Sequence, residues 1–171
     1  YADTCPASKS SKSHFRLHLS RNYGAQLIEH RVVYALIIIN KAGGLVYQRD
    51  FTEGLNKLSV NDYLVLAGTF HGVHAITTRL NPLHPPNEPP SGIEVLETEH
   101  FRLQCFQTLT GTKFLLFTEP FQPNTDKIVA RIYELYADYV MKNPFYSLEM
   151  PIRSEGWERR LVREMRVLNS R

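Results

Sequence analysis

The sequence predicts an α+β fold in which two long helices and a C-terminal arm and helix pack around a five-stranded antiparallel sheet. Three observations support this prediction. A continuous β-branched run at residues 32–39 is typical of a central strand covered on both faces. Two stretches, near residues 59–80 and 128–139, repeat apolar residues at helical spacing. Short strand-like segments separated by turn residues occupy most of the chain between them.

The first two strands are predicted to form a hairpin. The strand at 32–39 ends at Asn40 to Gly44, where Gly43 and Gly44 can adopt a positive φ. The chain then returns in a second strand from Leu45 to Arg49.

The first helix is predicted to begin after Ser59, a good N-cap, and to run to about Leu80. Its expected buried stripe consists of Tyr63, Leu66, Phe70, Val73 and Ile76. Gly68 and Gly72 lie one turn apart and could allow a close backbone approach, either to the sheet or to another subunit. Residues 81–92, with five prolines, are predicted to be a surface connection.

Three further strands are predicted at 93–96, 101–107 and 113–118, with turns at 99–100 and 110–111. The second long helix follows and must end before Pro144. Its expected buried stripe is Ile128, Ile132, Leu135, Tyr136 and Tyr139.

Residues 143–153 are too apolar for a solvated tail, yet Pro144 and Pro151 prevent a simple extension of the helix. We expect an ordered, extended arm that buries aromatic side chains, either on this domain or on a partner. From Glu155 a short basic helix is predicted. Its apolar stripe packs on the sheet or a neighbour, or else lies on a membrane surface. Its members are Trp157, Leu161, Met165 and Leu168.

The composition indicates a globular, reduced, cytoplasmic protein. The net charge of +3 is concentrated at the two ends, while residues 32–153 carry ten basic and twelve acidic side chains. That distribution argues against nucleic-acid binding. Cys5 and Cys105 do not suggest a disulfide. The longest apolar run is far below the roughly 20 residues of a membrane span. Residues 1–31 are polar, lack periodicity and are predicted to be a disordered, dispensable extension.

No catalytic constellation is present in the sequence. His71 and His74 form an H-x-x-H pair without a third ligand or an adjacent glutamate base, so a metal site or a hydrolase is disfavoured. The turn at Gly43-Gly44 lacks the phosphate-loop pattern. We therefore predict no enzyme activity, no cofactor and no metal.

Four segments, in order, closely resemble the synbindin subunit of the TRAPP vesicle-tethering complex. They are residues 39–48, 91–98, 107–114 and, most specifically, 142–153. The resemblance implies a longin-like (profilin-like) domain at 32–142, followed by the arm and helix at 143–171. It departs from the family at residues 1–31, which have no counterpart. The small domain that animal members insert after the second strand is also missing.

The resemblance further implies a non-enzymatic subunit that assembles with other small TRAPP subunits. The assembled complex would act as guanine-nucleotide exchange factor for a Ypt/Rab-class GTPase, peripherally at the ER–Golgi interface and Golgi membranes. Candidate partner-binding residues lie within the matching motifs: Lys41, Asn143, Phe145, Tyr146, Glu149, Met150 and Arg153. The alternative is a longin-type module of another trafficking machine, either a SNARE regulatory domain or an adaptor small chain.

Overall fold

The computed structural model of the chain describes residues 32–52, 57–80, 92–147 and 149–170. The predicted extension at 1–31 and the Pro-rich connection at 81–91 lie outside these residues. Within them the chain forms five strands and three α-helices. They are β1 (Val33–Ile39), β2 (Leu45–Asp50), α1 (Val60–Leu80), β3 (Val95–Glu97), β4 (Arg102–Gln107), β5 (Lys113–Thr118), α2 (Thr125–Tyr136) and α3 (Glu155–Asn169).

The strands form one antiparallel sheet in the order β2-β1-β5-β4-β3. The α+β prediction is confirmed, and the architecture is consistent with a longin-like fold. The strand bounds also agree closely, except that β3 begins two residues later than predicted and has only three residues. In the first turn only Gly43 adopts a positive φ, 91°.

Alternate residues of the central strands enter two hydrophobic cores on opposite faces of the sheet. Leu36 and Ile38 face the core under α2 and α3, whereas Ile37 and Ile39 face the core under α1. All six residues of β5 are buried as well. A strand buried on both faces needs apolar residues at every position, which explains the continuous run in the sequence.

Helix α1 begins with the predicted capping interaction. The Asp62 amide donates to Ser59 Oγ at 3.2 Å, and the Ser59 amide donates to Asp62 Oδ2 at 3.1 Å. These reciprocal bonds satisfy two backbone groups at the start of the helix. Farther along, the Tyr63 hydroxyl donates to Asp50 Oδ1 at 2.8 Å and thereby attaches α1 to the end of β2.

The C-terminal helix is part of the domain core. Trp157, Leu161 and Met165 have no exposed surface and pack among the residues of α2 and β1. The side chain of Asn169 both donates to and accepts from the Val33 backbone, at 3.1 and 2.9 Å. The prediction that the apolar stripe packs on the sheet is therefore confirmed. The helix begins at Glu155, as predicted, and has 15 residues.

The C-terminal end of α2 differs from the prediction. A π-helical turn, Ala137–Met141, extends the helix, and Lys142 N donates to Ala137 O at 3.1 Å. Its wider turn shifts the following side chains around the helix axis. As a result Val140 is buried and Tyr139 is partly exposed, so the placement of Tyr139 in the stripe was wrong. Among the described residues no helix is long and apolar enough to cross a membrane.

Candidate partner-binding surfaces

The arm, residues 142–153, is attached to the domain at two points. Near its end, Ile152 is buried, and its amide donates to Val46 O on β2 at 3.0 Å. Nearer its start, Tyr146 packs against the core under α2 and α3. The Tyr146 hydroxyl donates to Met150 O at 3.1 Å and so closes the segment between the two attachments. The arm is thus folded onto its own domain.

Local hydrogen bonds set the shape of the arm. Asn143 accepts twice, through Oδ1 from the Phe145 amide and through its carbonyl from the Tyr146 amide, both at 3.1 Å. The Met150 amide donates to Ser147 O at 3.2 Å. Glu149 has a φ of 73°, which is uncommon for a residue other than glycine. These bonds replace the regular hydrogen bonding that the prolines prevent.

Two apolar side chains of the arm point into solvent. Phe145 is 94% exposed and Met150 is 59% exposed, and we call this pair the arm ridge. In the single chain Tyr146 is half-buried on its own domain, whereas Phe145 is not buried there, so its expected burial on a partner stays a prediction. The Tyr146 side chain occupies the space beside α2, whereas the side chain of Phe145, the preceding residue in the turn, points into solvent. Exposed large apolar side chains in a fixed conformation are suited to binding a partner.

The arm lies beside one end of the sheet, which we call the turn end. Because Ile39 pairs with Lys113, the β1–β2 turn and the β4–β5 turn are adjacent there. A Cβ atom added at Gly111 would lie 2.9 Å from Lys41 Cβ, so the two turns are in close contact. Lys41 Nζ in turn lies 3.9 Å from Glu149 Oε1. Three of the four segments that carry the family resemblance therefore meet at the turn end.

Buried tyrosine hydroxyls join the arm to this end of the sheet. The pKa of Tyr136 is raised to about 12, mainly by burial, and its hydroxyl interacts with those of Tyr146 and Thr112. Burial also raises the pKa of Tyr146. Both hydroxyls therefore remain protonated at neutral pH and can donate hydrogen bonds.

Charged side chains surround the arm ridge. Lys41 and Glu149 are both largely exposed, so their long ion pair stabilises the fold little. Arg153 is exposed and makes no ion pair with any described residue. These three side chains are available to a partner because few intramolecular contacts hold them.

Helix α1 presents a second apolar surface, which the sequence reading missed. Six of its aliphatic side chains are between 43% and 70% exposed, and we call them the α1 face: Val60, Leu64, Val65, Val73, Ile76 and Leu80. Assigning Val73 and Ile76 to the buried stripe was wrong. The residues that the structure buries on this helix are Tyr63, Ala67 and His74.

The exposure of Val73, Ile76 and Leu80, at the C-terminal end of α1, follows from the length of the helix. A helix of 21 residues spans about 31 Å, whereas a six-residue strand spans about 20 Å. Tyr63 contacts Asp50 at one end of β2, and His71 packs against Gly43 at the other. Residues 72–80 therefore continue past the turn. In the sequence, the composition of α1 could have indicated this exposed apolar surface, because Asp62 and Arg79 are the only charged residues in the helix.

Gly68 and Gly72 belong to the exposed side of α1. A Cβ atom added at either position would meet nothing within 4 Å. Neither glycine is therefore needed for contact with the sheet, and the alternative of close approach to another subunit remains.

The two histidines of α1 lie close to Lys113. Among the described residues no group of three His, Cys, Asp or Glu side chains is placed to hold a metal ion. His71 instead lies beside Lys113, with 3.4 Å between Nδ1 and Nζ. His74 is buried, and burial lowers its pKa to about 4.

Comparison with known proteins gives a consistent result. The model of the Sybindin-like family matches residues 33–168. The chain is 47% identical over 135 residues to trafficking protein particle complex subunit 4 of Dictyostelium discoideum and covers 97% of that protein. It is 46% identical over 114 residues to human subunit 4 but spans only half of its length. It is also 28% identical over 119 residues to Dictyostelium subunit 1, covering 81% of it.

Proposed function

The chain belongs to the Sybindin-like family, and from this membership we propose that it is a non-enzymatic core subunit of the trafficking protein particle complex. In this proposal it assembles with other small subunits and forms part of the surface on which the complex binds a Ypt/Rab-class GTPase. The complex exchanges the nucleotide of that GTPase during ER-to-Golgi and Golgi transport. It acts from the cytoplasm as a peripheral assembly on the membrane.

The exposed α1 face is the observation that supports assembly. Contiguous exposed aliphatic residues are rare on monomeric proteins and mark protein interfaces. The proposed occupant is a related small subunit, because the chain is similar to both subunit 4 and subunit 1 of the same particle. A related small subunit with the same fold would carry a helix equivalent to α1, and the two helices could pack against each other. The open positions at Gly68 and Gly72 would let such a helix approach closely.

The turn end and the arm ridge are the proposed contribution to GTPase docking. Phe145 and Met150 provide apolar contact area, while Lys41, Glu149 and Arg153 provide a charged rim. Asn143 and Tyr146 act indirectly in this proposal, because they hold the arm in its conformation. A charged rim mainly affects encounter rate and partner choice.

Exchange requires that the complex bind the nucleotide-free GTPase more tightly than the loaded form. That difference lowers the barrier to nucleotide release. A single subunit supplies only part of the surface, so the isolated chain should not accelerate release. Adding its partner subunits should restore exchange.

Two sets of variants would separate the two surfaces. Ile76→Asp places a carboxylate on the α1 face and should prevent co-purification with the small subunits. Phe121→Asp is the matched control, since Phe121 is equally exposed but lies in the loop after β5. Intact assembly of Ile76→Asp, in amounts equal to the control, would refute the assembly role of α1.

The arm variants are tested in the assembled complex. Phe145→Ala, and Lys41→Glu combined with Arg153→Glu, should leave assembly intact and slow nucleotide release by tenfold or more, equivalent to about 1.4 kcal/mol. Val167→Ala, a partly exposed position on α3, is the control. Unchanged release rates in both arm variants would refute the GTPase role of the turn end. Rapid exchange by the isolated chain would refute the shared-surface mechanism.

A further inference from the structure

Lys113 is a buried lysine without a carboxylate partner. It lies in the central strand β5 with 5% of its surface exposed, and no described acidic side chain forms an ion pair with it. Its ammonium group has two long polar contacts, to His71 Nδ1 and to Gly111 O, each at 3.4 Å. A buried charge with such weak compensation is costly, so the groups that face it become important.

The groups around Lys113 come from several elements. Helix α1 contributes His71 and His74, and β4 contributes the buried thiol of Cys105. Glu94, just before β3, acts on this thiol from farther away. The cluster therefore contains one cation and two neutral imidazoles, and within the described part of the chain no acidic side chain forms an ion pair with them.

The His71–Lys113 contact requires a neutral imidazole. An ammonium group can only donate hydrogen bonds, so His71 Nδ1 must accept and its proton must reside on Nε2. If His71 were protonated, its Nδ1–H group would face the Lys113 ammonium group, and two hydrogen-bond donors would point at each other. Desolvation by burial and the charge of Lys113 both lower the pKa of His71, in agreement with this geometry.

The imidazole rings have little room to move away. A Cβ atom added at Gly43 would lie 3.0 Å from the His71 ring, and one added at Gly92 would lie 2.8 Å from the His74 ring. Both rings thus pack directly against glycine backbone. The glycine backbone therefore limits the space into which a charged ring can move away from the ammonium group.

We propose that His71, His74 and Lys113 form an acid-labile clamp, which holds residues 71–80 of α1 on the domain at neutral pH and releases them under mild acid. Tyr63 remains bound to Asp50, so the N-terminal part of α1 stays attached. The released segment carries Val73, Ile76 and Leu80 of the α1 face. The consequence for subunit docking rests on the proposed function, whereas the release itself does not.

Hydrogen exchange of the full-length chain at pH 7.5 and 5.5, corrected for intrinsic chemical exchange, tests the release. Protection of residues 71–80 should fall about tenfold at pH 5.5, as expected for a histidine with a pKa near 4 in the folded state and about 6.5 in the unfolded state. Residues 125–136 of α2 serve as the internal reference. The double variant His71→Gln/His74→Gln should lose most of this fall, and His100→Gln, at an exposed position, should retain it. An equal decrease in protection in the wild-type chain, the double variant and His100→Gln would overturn the clamp.

A second measurement separates the electrostatic contact from simple burial. In Lys113→Met the His71 imidazole remains partly buried, but the ammonium charge is gone. The NMR titration midpoint of His71 should therefore rise relative to the wild-type chain, and an unchanged midpoint would overturn the role of Lys113. Partner binding at the two pH values provides the docking readout. If residues 71–80 lose hydrogen-exchange protection at pH 5.5 while partner binding is unchanged, the clamp is supported and the α1 face is refuted as the docking surface.

Discussion

Removing the side chain of Leu161 should destabilise the whole domain. Leu161 has no exposed surface and belongs to the same core as Leu36, Ile132 and Trp157. Leu161→Ala deletes three carbon atoms at the centre of the contact between α3 and the rest of the domain. The surrounding residues cannot fill the space without moving α3, which Asn169 also ties to Val33.

The expected loss of free energy of unfolding is about 3 kcal/mol. Leu→Ala substitutions in well-packed cores cost roughly 2–5 kcal/mol, because a cavity term adds to the lost burial of methyl groups. Urea unfolding of the full-length chain measures the loss. With a slope of about 2 kcal/mol/M, the midpoint should fall by about 1.5 M.

Val167→Ala provides the matched control on the same helix. Val167 is 45% exposed, so its truncation should change the free energy of unfolding by no more than about 0.5 kcal/mol. Alanine is also the better helix former, which offsets part of any loss. Equal midpoints for the two variants would show that α3 does not pack on the sheet in solution, and the reasoning would fail.

Three further predictions follow from individual contacts. Ser59→Ala removes the bond that the Asp62 amide donates to Ser59 Oγ, although the backbone amide of residue 59 can still donate to Asp62. The change should cost about 1 kcal/mol by urea unfolding, whereas a loss below about 0.3 kcal/mol would contradict the cap. Tyr63→Phe removes a hydrogen bond to a carboxylate and should cost roughly 1.5 kcal/mol, and the same loss should not recur in an Asp50→Ala background, which lacks the acceptor. The free energy of unfolding should be greatest above about pH 6.5 and decrease down to about pH 4, because folding lowers the pKa of His74 and the unfolded chain binds more protons. Urea unfolding at a series of pH values should show a smaller decrease in His74→Gln. An equal decrease in the variant would show that His74 is not the group responsible.

Local sequence signals were sufficient for the regular elements. The continuous apolar run specified β1 because a strand between two cores needs an apolar residue at every position. The glycine of the first turn, the cap at Ser59 and the bounds of β5 also appeared as predicted. Each of these features depends on residues close together in the chain, so a short window contains the whole cause.

The candidate site could be predicted only in part. The sequence identified the motifs and the residues within them, but it could not show that the two turns and the arm meet at one end of the sheet. It also left open whether the aromatic residues of the arm pack on this domain or on a partner, and in the single chain only Tyr146 packs against the core. Which of two adjacent aromatic residues faces inward depends on a turn set by Asn143 and Glu149.

The sequence by itself determined the family, the order of the elements and the apolar character of α1, β1 and α3. Only the tertiary structure decided which face of α1 is covered and that Lys113 is buried beside His71. A helix that is apolar on nearly all sides has no single stripe to assign, so the area available on the sheet selects the buried face. The sheet buries Tyr63, Ala67 and His74 of α1, and six aliphatic side chains of the helix stay largely exposed.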